Sequence, residues 1–119
     1  MTFMRARVRA FPRFPTGIPA VLQVGGVAQT SQIIDVSQGG CKVLPLKVEP
    51  LLGEELVPGT PLTLVTGTMR FLARLIWTTP NCSALGCRFE EPLANDEIWS
   101  LLSIAPAGAT PVVLSSGIV

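Results

Sequence analysis

The stretch "MRFLARLIWTT" (Met69–Thr79) decides the fold. Its residues alternate. Arg70, Leu72, Arg74, Ile76 and Thr78 fall on one side, and Met69, Phe71, Ala73, Leu75, Trp77 and Thr79 fall on the other. A period of two marks a β-strand, here the longest in the chain. Just before it, "PLTLVTG" (Pro61–Gly67) alternates with Leu62, Leu64 and Thr66 on one face. Just after it, "PNCSA" turns the chain, and "LGCRFEE" (Leu85–Glu91) sets Leu85, Cys87 and Phe89 inward.

Three more strands precede this group. "IPAVLQV" (Ile18–Val24) is followed by a Gly25–Gly26 hairpin signal and a returning strand, "VAQTSQIIDVS" (Val27–Ser37). "QGG" makes the next turn, and "CKVLPL" (Cys41–Leu46) places Cys41, Val43 and Pro45 on one face. Residues 47–60, broken by Pro50, Gly53, Pro58 and Gly59, read as a long connection. The period then changes in "NDEIWSLLSIA", where Ile98, Leu101, Leu102 and Ala105 have helical spacing. Asn95 is the expected N-cap, Asp96 and Glu97 suit the positive end of the helix dipole, and Pro106 ends the helix. Six short strands followed by one helix predict a mostly β fold, a six-stranded antiparallel β-barrel with one C-terminal α-helix. Trp77 and Trp99 are expected in its core or at its lid. Arg70, Arg74 and Arg88 are expected on the solvated exterior, with Arg74 a candidate neighbour of any ligand.

Composition limits the function. A chain of 119 residues with 48% hydrophobic and 14% charged residues is one folded domain. With no histidine, the usual general base and the commonest metal ligand are missing, and no nucleophile–base pair is visible. An enzyme is therefore the least favoured class. The three cysteines, Cys41, Cys82 and Cys87, leave a closed zinc site short of a fourth soft ligand. Their odd number, with no signal peptide in view, fits packed free thiols in a reducing cytoplasm. Residues 105–119 form an apolar tail diluted by Pro, Gly and Ser, so no membrane span is expected.

The net charge is only +1, but it is unevenly spread. "RARVRAFPR" (Arg5–Arg13) carries four arginines and no acid, within a basic N-terminal arm, residues 1–17. A local basic arm suits a small anionic partner better than a broad nucleic-acid surface. The second notable run is "DVSQGG" (Asp35–Gly40), at the end of a strand. Alone, its Asp35 and Ser37 need do no more than satisfy the local backbone. Together the two runs suit a guanine nucleotide. Arginine forks grip phosphate or the O6/N7 edge of guanine, an aspartate accepts from its N1–H and N2 amine, and glycine lets a flat base approach.

On these motifs the chain resembles the PilZ domain family, the bacterial receptor module for cyclic di-GMP. That family carries R-x-x-x-R, then [D/N]-x-S-x-x-G some twenty to thirty residues later. "RAFPR" (Arg9–Arg13) and "DVSQGG" match in that order. The "IPAVL", "ARLIW" and "LGCRFEEP" segments extend the likeness over about residues 5–104, so residues 1–104 are expected to form one PilZ-like domain. The resemblance implies a six-stranded barrel with a C-terminal helix. It also implies that Arg9, Arg13, Asp35, Ser37 and Gly40 bind cyclic di-GMP, with Gly39 shaping the turn. "RARVR" (Arg5–Arg9) is also an R-x-x-x-R. The Phe-Pro before Arg13 favours Arg9–Arg13, and Arg5, Arg7 and Val8 are then auxiliary. Val8, just before the motif, favours one ligand copy, while Arg7 keeps a stacked pair open. No cofactor beyond this ligand is expected. The implied mechanism is ordering of the arm on the barrel, which creates a surface for a downstream effector protein. A PilZ-fold adaptor that binds no nucleotide is the alternative. A small nucleic-acid-binding barrel comes third, disfavoured by eight acids and seven aromatics.

Overall fold

A computed structural model describes residues 11–104. Six strands follow the chain: β1 (Phe14–Val24), β2 (Val27–Val36), β3 (Gly40–Pro45), β4 (Pro61–Thr66), β5 (Met69–Thr78) and β6 (Leu85–Phe89). A short helix α1 (Glu49–Leu52) lies between β3 and β4, and α2 (Asn95–Leu102) follows β6. All neighbouring strands are antiparallel and the sheet closes on itself in the order β1-β2-β3-β6-β5-β4. Closure gives every strand a neighbour on both sides, although β1 meets β4 only through Val21–Gln23.

The inward positions are those the alternation predicts. Leu62, Leu64 and Thr66 of β4, Phe71, Ala73 and Leu75 of β5, and Leu85, Cys87 and Phe89 of β6 are all buried. Leu51 from α1 and Ile98 and Leu101 from α2 join the same core. Each such leucine or isoleucine contributes about 1.5–3 kcal/mol by leaving water.

Four local expectations need correction. First, β1 begins at Phe14, not Ile18, so the end of the basic arm is already part of the barrel; Phe14 and Pro15 pair with Val36 and Asp35. Second, the 47–60 connection contains α1, with Pro50 in its first turn, where a missing N–H costs nothing. Third, α2 is capped at Ala94, whose N–H donates to the Glu97 carboxylate at 2.8 Å; Asn95 is already helical. Fourth, Trp77 and Trp99 are not core residues; they are 42% and 61% exposed. Trp99 lies on the outer side of α2 and its ring meets Phe14 at 5.7 Å between centroids. Trp77 is outside for a backbone reason that also shapes the site.

Candidate functional site

Two β-bulges set the site. In β2, Gln29, Ser31 and Ile33 point inward, and strict alternation would send Asp35 inward too. Against β3, however, Ile33 pairs with Val43 and Asp35 with Lys42, so Ile34 is an extra residue. The phase flips: Val36 is buried and Asp35 faces outward. In β5 the same thing happens. Leu75 pairs with Cys87 and Trp77 with Gly86, leaving Ile76 extra, and Trp77 turns outward after the buried Leu75.

The two bulges flank the β3–β6 ladder and produce one continuous outer row, Asp35–Lys42–Gly86–Trp77, across four strands. Three interstrand steps make it about 14 Å long. The row beneath the sheet, Val36–Cys41–Cys87–Leu75, is wholly buried. Gly86 gives the row its flat floor. A Cβ there would collide with the Trp77 indole, which lies across it. Lys42 Nζ stands 5.8 Å from the centre of the same ring. An open pocket of about 270 Å³ lies over the Lys42–Gly86–Trp77 part of this row, lined among others by Arg13, Ser37, Gly40 and Arg88.

At the β1 end, Arg13 meets Asp35. Both Arg13 Nε (3.2 Å) and Nη2 (3.0 Å) reach the same carboxylate oxygen, Oδ2. The other oxygen, Oδ1, is buried and has no hydrogen-bond partner among the described residues. Leaving such an acceptor unpaired costs about 1–3 kcal/mol. The ion pair itself is part-exposed and contributes at most about 1 kcal/mol.

The Ser37–Gly40 turn is held from several sides. Ser37 N–H donates to Gly40 O at 2.8 Å, and Ser37 Oγ accepts from the N–H groups of Gly39 and Gly40 at 3.2 and 3.3 Å. Ser37 thus spends its hydroxyl on the backbone of its own turn. Gln38 clasps Leu93, accepting from its N–H and donating Nε2–H to its carbonyl, each at 2.7 Å. Gly39 lies under the Phe11 ring; a Cβ on it would come within 3.2 Å of Phe11 Cδ2. A Cβ on Gly40 would run into the Cys87 carbonyl, so close approach of β3 to β6 already requires that glycine.

The structure therefore brings Arg13, Asp35, Ser37, Gly39 and Gly40 to one place. Arg5, Arg7, Val8 and Arg9 lie outside the described residues. Arg74 is not at this site: its Nε binds Glu90 at 2.8 Å and its Nη1 donates to Gly59 O. Lys42 and Gly86 have no place in either sequence motif, and Arg88, expected only on the solvated exterior, borders the same pocket. The available signal was the doubled apolar pair inside each alternating strand, "QIID" and "RLIW", which marks where the phase slips. The cysteines also differ from the spacing. Cys82 caps a turn with φ of 60°, and Cys87 lies directly opposite Cys41. A hydrogen bond to Cys87, followed by burial, pushes the Cys41 thiol well above its ordinary pKa.

The class that the fold and these residues suggest is a small β-barrel domain with an aspartate, a turn serine and an arginine gathered on its outer wall. The PilZ domain family matches residues 7–103, so the chain belongs to the PilZ domain family, whose role is cyclic di-GMP signalling and whose members are receptor and adaptor modules. Among solved structures it is similar to the Bacillus subtilis inhibitor of motility (MotI/DgrA), with 18% identity and a TM-score of 0.56. That match covers 80% of this chain but 48% of the other, and it is a likeness of fold. No curated protein matches the chain in sequence. No helix among the described residues is long and apolar enough to cross a membrane.

Proposed function

We propose that this domain is a cyclic di-GMP receptor that passes the signal to a partner protein through its N-terminal arm. The observation that carries this reading is the divided use of Asp35. Arg13 holds Oδ2 through Nε–H and an Nη2 ion-pair contact and leaves Oδ1 buried and unpartnered, one step along the sheet from an open pocket that Arg13, Ser37 and Lys42 line. Guanine supplies N1–H and N2–H donors for that oxygen, and adenine offers no matching pair. Arg13, with Arg9 from the same motif, then serves a phosphate or the O6/N7 edge of a guanine. A row of about 14 Å is longer than one nucleotide needs and gives room for two. Trp77, at its far end, offers an exposed ring face beside the Gly86 floor.

The arm joins β1 directly at Phe14, so a ligand gripped by Arg9 and Arg13 is fixed between arm and barrel wall. Backbone ordering costs about 1–2 kcal/mol per residue, and charge-assisted hydrogen bonds of about 1.5–3 kcal/mol each offset it. The resulting arm–ligand surface is what a partner reads. The inhibitor-of-motility name of the matched structure makes a motility component one candidate partner.

Calorimetry of the chain with cyclic di-GMP, GTP, GMP and single-stranded DNA tests the reading. Binding is expected for cyclic di-GMP alone. Arg13→Ala should abolish it and Arg5→Ala only weaken it. Equal losses in the two variants would overturn the Arg9–Arg13 assignment, and no heat with cyclic di-GMP at tens of micromolar protein would leave the nucleotide-free adaptor.

A further inference from the structure

The outer wall carries two cations that the arm-and-aspartate pair does not use. On the β3–β6 ladder, Gly40 pairs with Arg88 and Lys42 pairs with Gly86. Each cation thus faces a glycine, in opposite order on the two strands. Their side chains leave the same face of the sheet, since Cys41, Val43, Leu85, Cys87 and Phe89 take the inward positions. Diagonal neighbours on paired strands have Cβ atoms about 7 Å apart. Two like charges at that spacing repel.

No acid forms an ion pair with them among the described residues. The ion pairs among the described residues are Arg13–Asp35 and Arg74–Glu90, and neither Lys42 nor Arg88 takes part in one. Lys42 has the Trp77 ring on one side and Asp35 on the adjoining strand, but Asp35 is engaged by Arg13. Arg88 is exposed and borders the pocket beside the bare backbone of Gly40. The contrast with Arg74 is direct. It lies on β5 directly opposite Arg88, yet it is neutralised by Glu90.

We infer that Lys42 and Arg88 form an anion seat on the barrel itself, which takes a phosphodiester group of the bound nucleotide. The inference rests on the receptor reading above for the identity of the nucleotide, and on the wall's own geometry for the seat. Both cations line the same open pocket, so a phosphate there lies within reach of the two side chains. Arg88 presents a planar fork to two of them, and Lys42 supplies a point charge. The seat divides the ligand: one phosphate to the arm arginines, the other to the barrel.

The test is calorimetry of the full chain with cyclic di-GMP, run at two salt concentrations, on the wild type and on Arg88→Gln, Lys42→Gln, Arg88→Lys and Arg74→Gln. Both seat positions lie at the surface, and unchanged urea unfolding confirms that each variant folds. Arg88→Gln and Lys42→Gln should each weaken binding about tenfold or more. They should also flatten its salt dependence, because a charge contact is gone. Arg88→Lys should keep most of the affinity, and Arg74→Gln all of it. Wild-type affinity in Arg88→Gln and Lys42→Gln would overturn the seat while leaving the receptor reading intact. If the wild type itself does not bind cyclic di-GMP, the receptor reading fails, and the seat is read separately by ¹⁵N NMR with inorganic pyrophosphate. Saturable shifts at Arg88 Nε–H and the Gly86 amide, absent in Arg88→Gln, would support it; no shift would overturn it.

Discussion

The two oxygens of Asp35 have different surroundings, and this is the residue-scale centre of the candidate site. Oδ2 anchors Arg13, the last arginine of the arm, and Oδ1 stays buried and unmatched among the described residues. The sequence motif already pointed to Asp35, because its chemistry is local. It could not show that Ser37 is committed to its own turn, since the hydroxyl's partners are backbone N–H groups fixed by the fold. Below the site, Cys41 gives a prediction of its own. Its thiol is held in the neutral form by a hydrogen bond to Cys87 and by burial. The unfolded thiol ionises near pH 8.5. The folded state therefore holds its proton to higher pH than the unfolded state does. Stability is full below about pH 8.5 and falls above it, by up to about 1.4 kcal/mol per pH unit for this one group. Urea unfolding under reducing conditions between pH 8 and 10 should show that slope, and Cys41→Ala should flatten it.

At the scale of elements, the site is a product of two single-residue insertions, Ile34 in β2 and Ile76 in β5. Each flips the side-chain phase of the strand beyond it, which is why the plain alternation of Met69–Thr79 placed Trp77 with the core. The strands and their inward faces were legible because burial imposes a period of two over many residues. A bulge was not, because it is a relation between strands and leaves only a doubled apolar pair in the sequence. The two glycines of the wall should respond differently. Gly40→Ala drives a methyl into the Cys87 backbone carbonyl, which cannot retreat without opening the β3–β6 ladder. A loss of about 1–3 kcal/mol or more is expected in urea unfolding followed by circular dichroism. Gly86→Ala meets only the exposed Trp77 side chain. The fold should survive with less than about 1 kcal/mol lost, while the Trp77 emission shifts as the indole is pushed off its floor.

For the whole molecule, the six strands close into a ring whose shortest seam is β1 against β4, paired only through Val21–Gln23. Three side-chain surfaces stand open to a partner: the end of the arm, the outer wall between Asp35 and Trp77, and the exposed face of α2 around Trp99. Of these, the arm and wall meet at the pocket, and Phe14 carries the contact on to Trp99. A net charge of +1 adds little long-range attraction, so the proposed receptor must select its ligand through the base edge. The most direct test is paired calorimetry of the wild type and Asp35→Asn with cyclic di-GMP and cyclic di-AMP. The account predicts that the wild type prefers the guanine ligand by about ten- to hundredfold or more, and that Asp35→Asn loses the preference together with most of the affinity. Equal binding of the two dinucleotides by the wild type, or an undiminished guanine preference in Asp35→Asn, would contradict it.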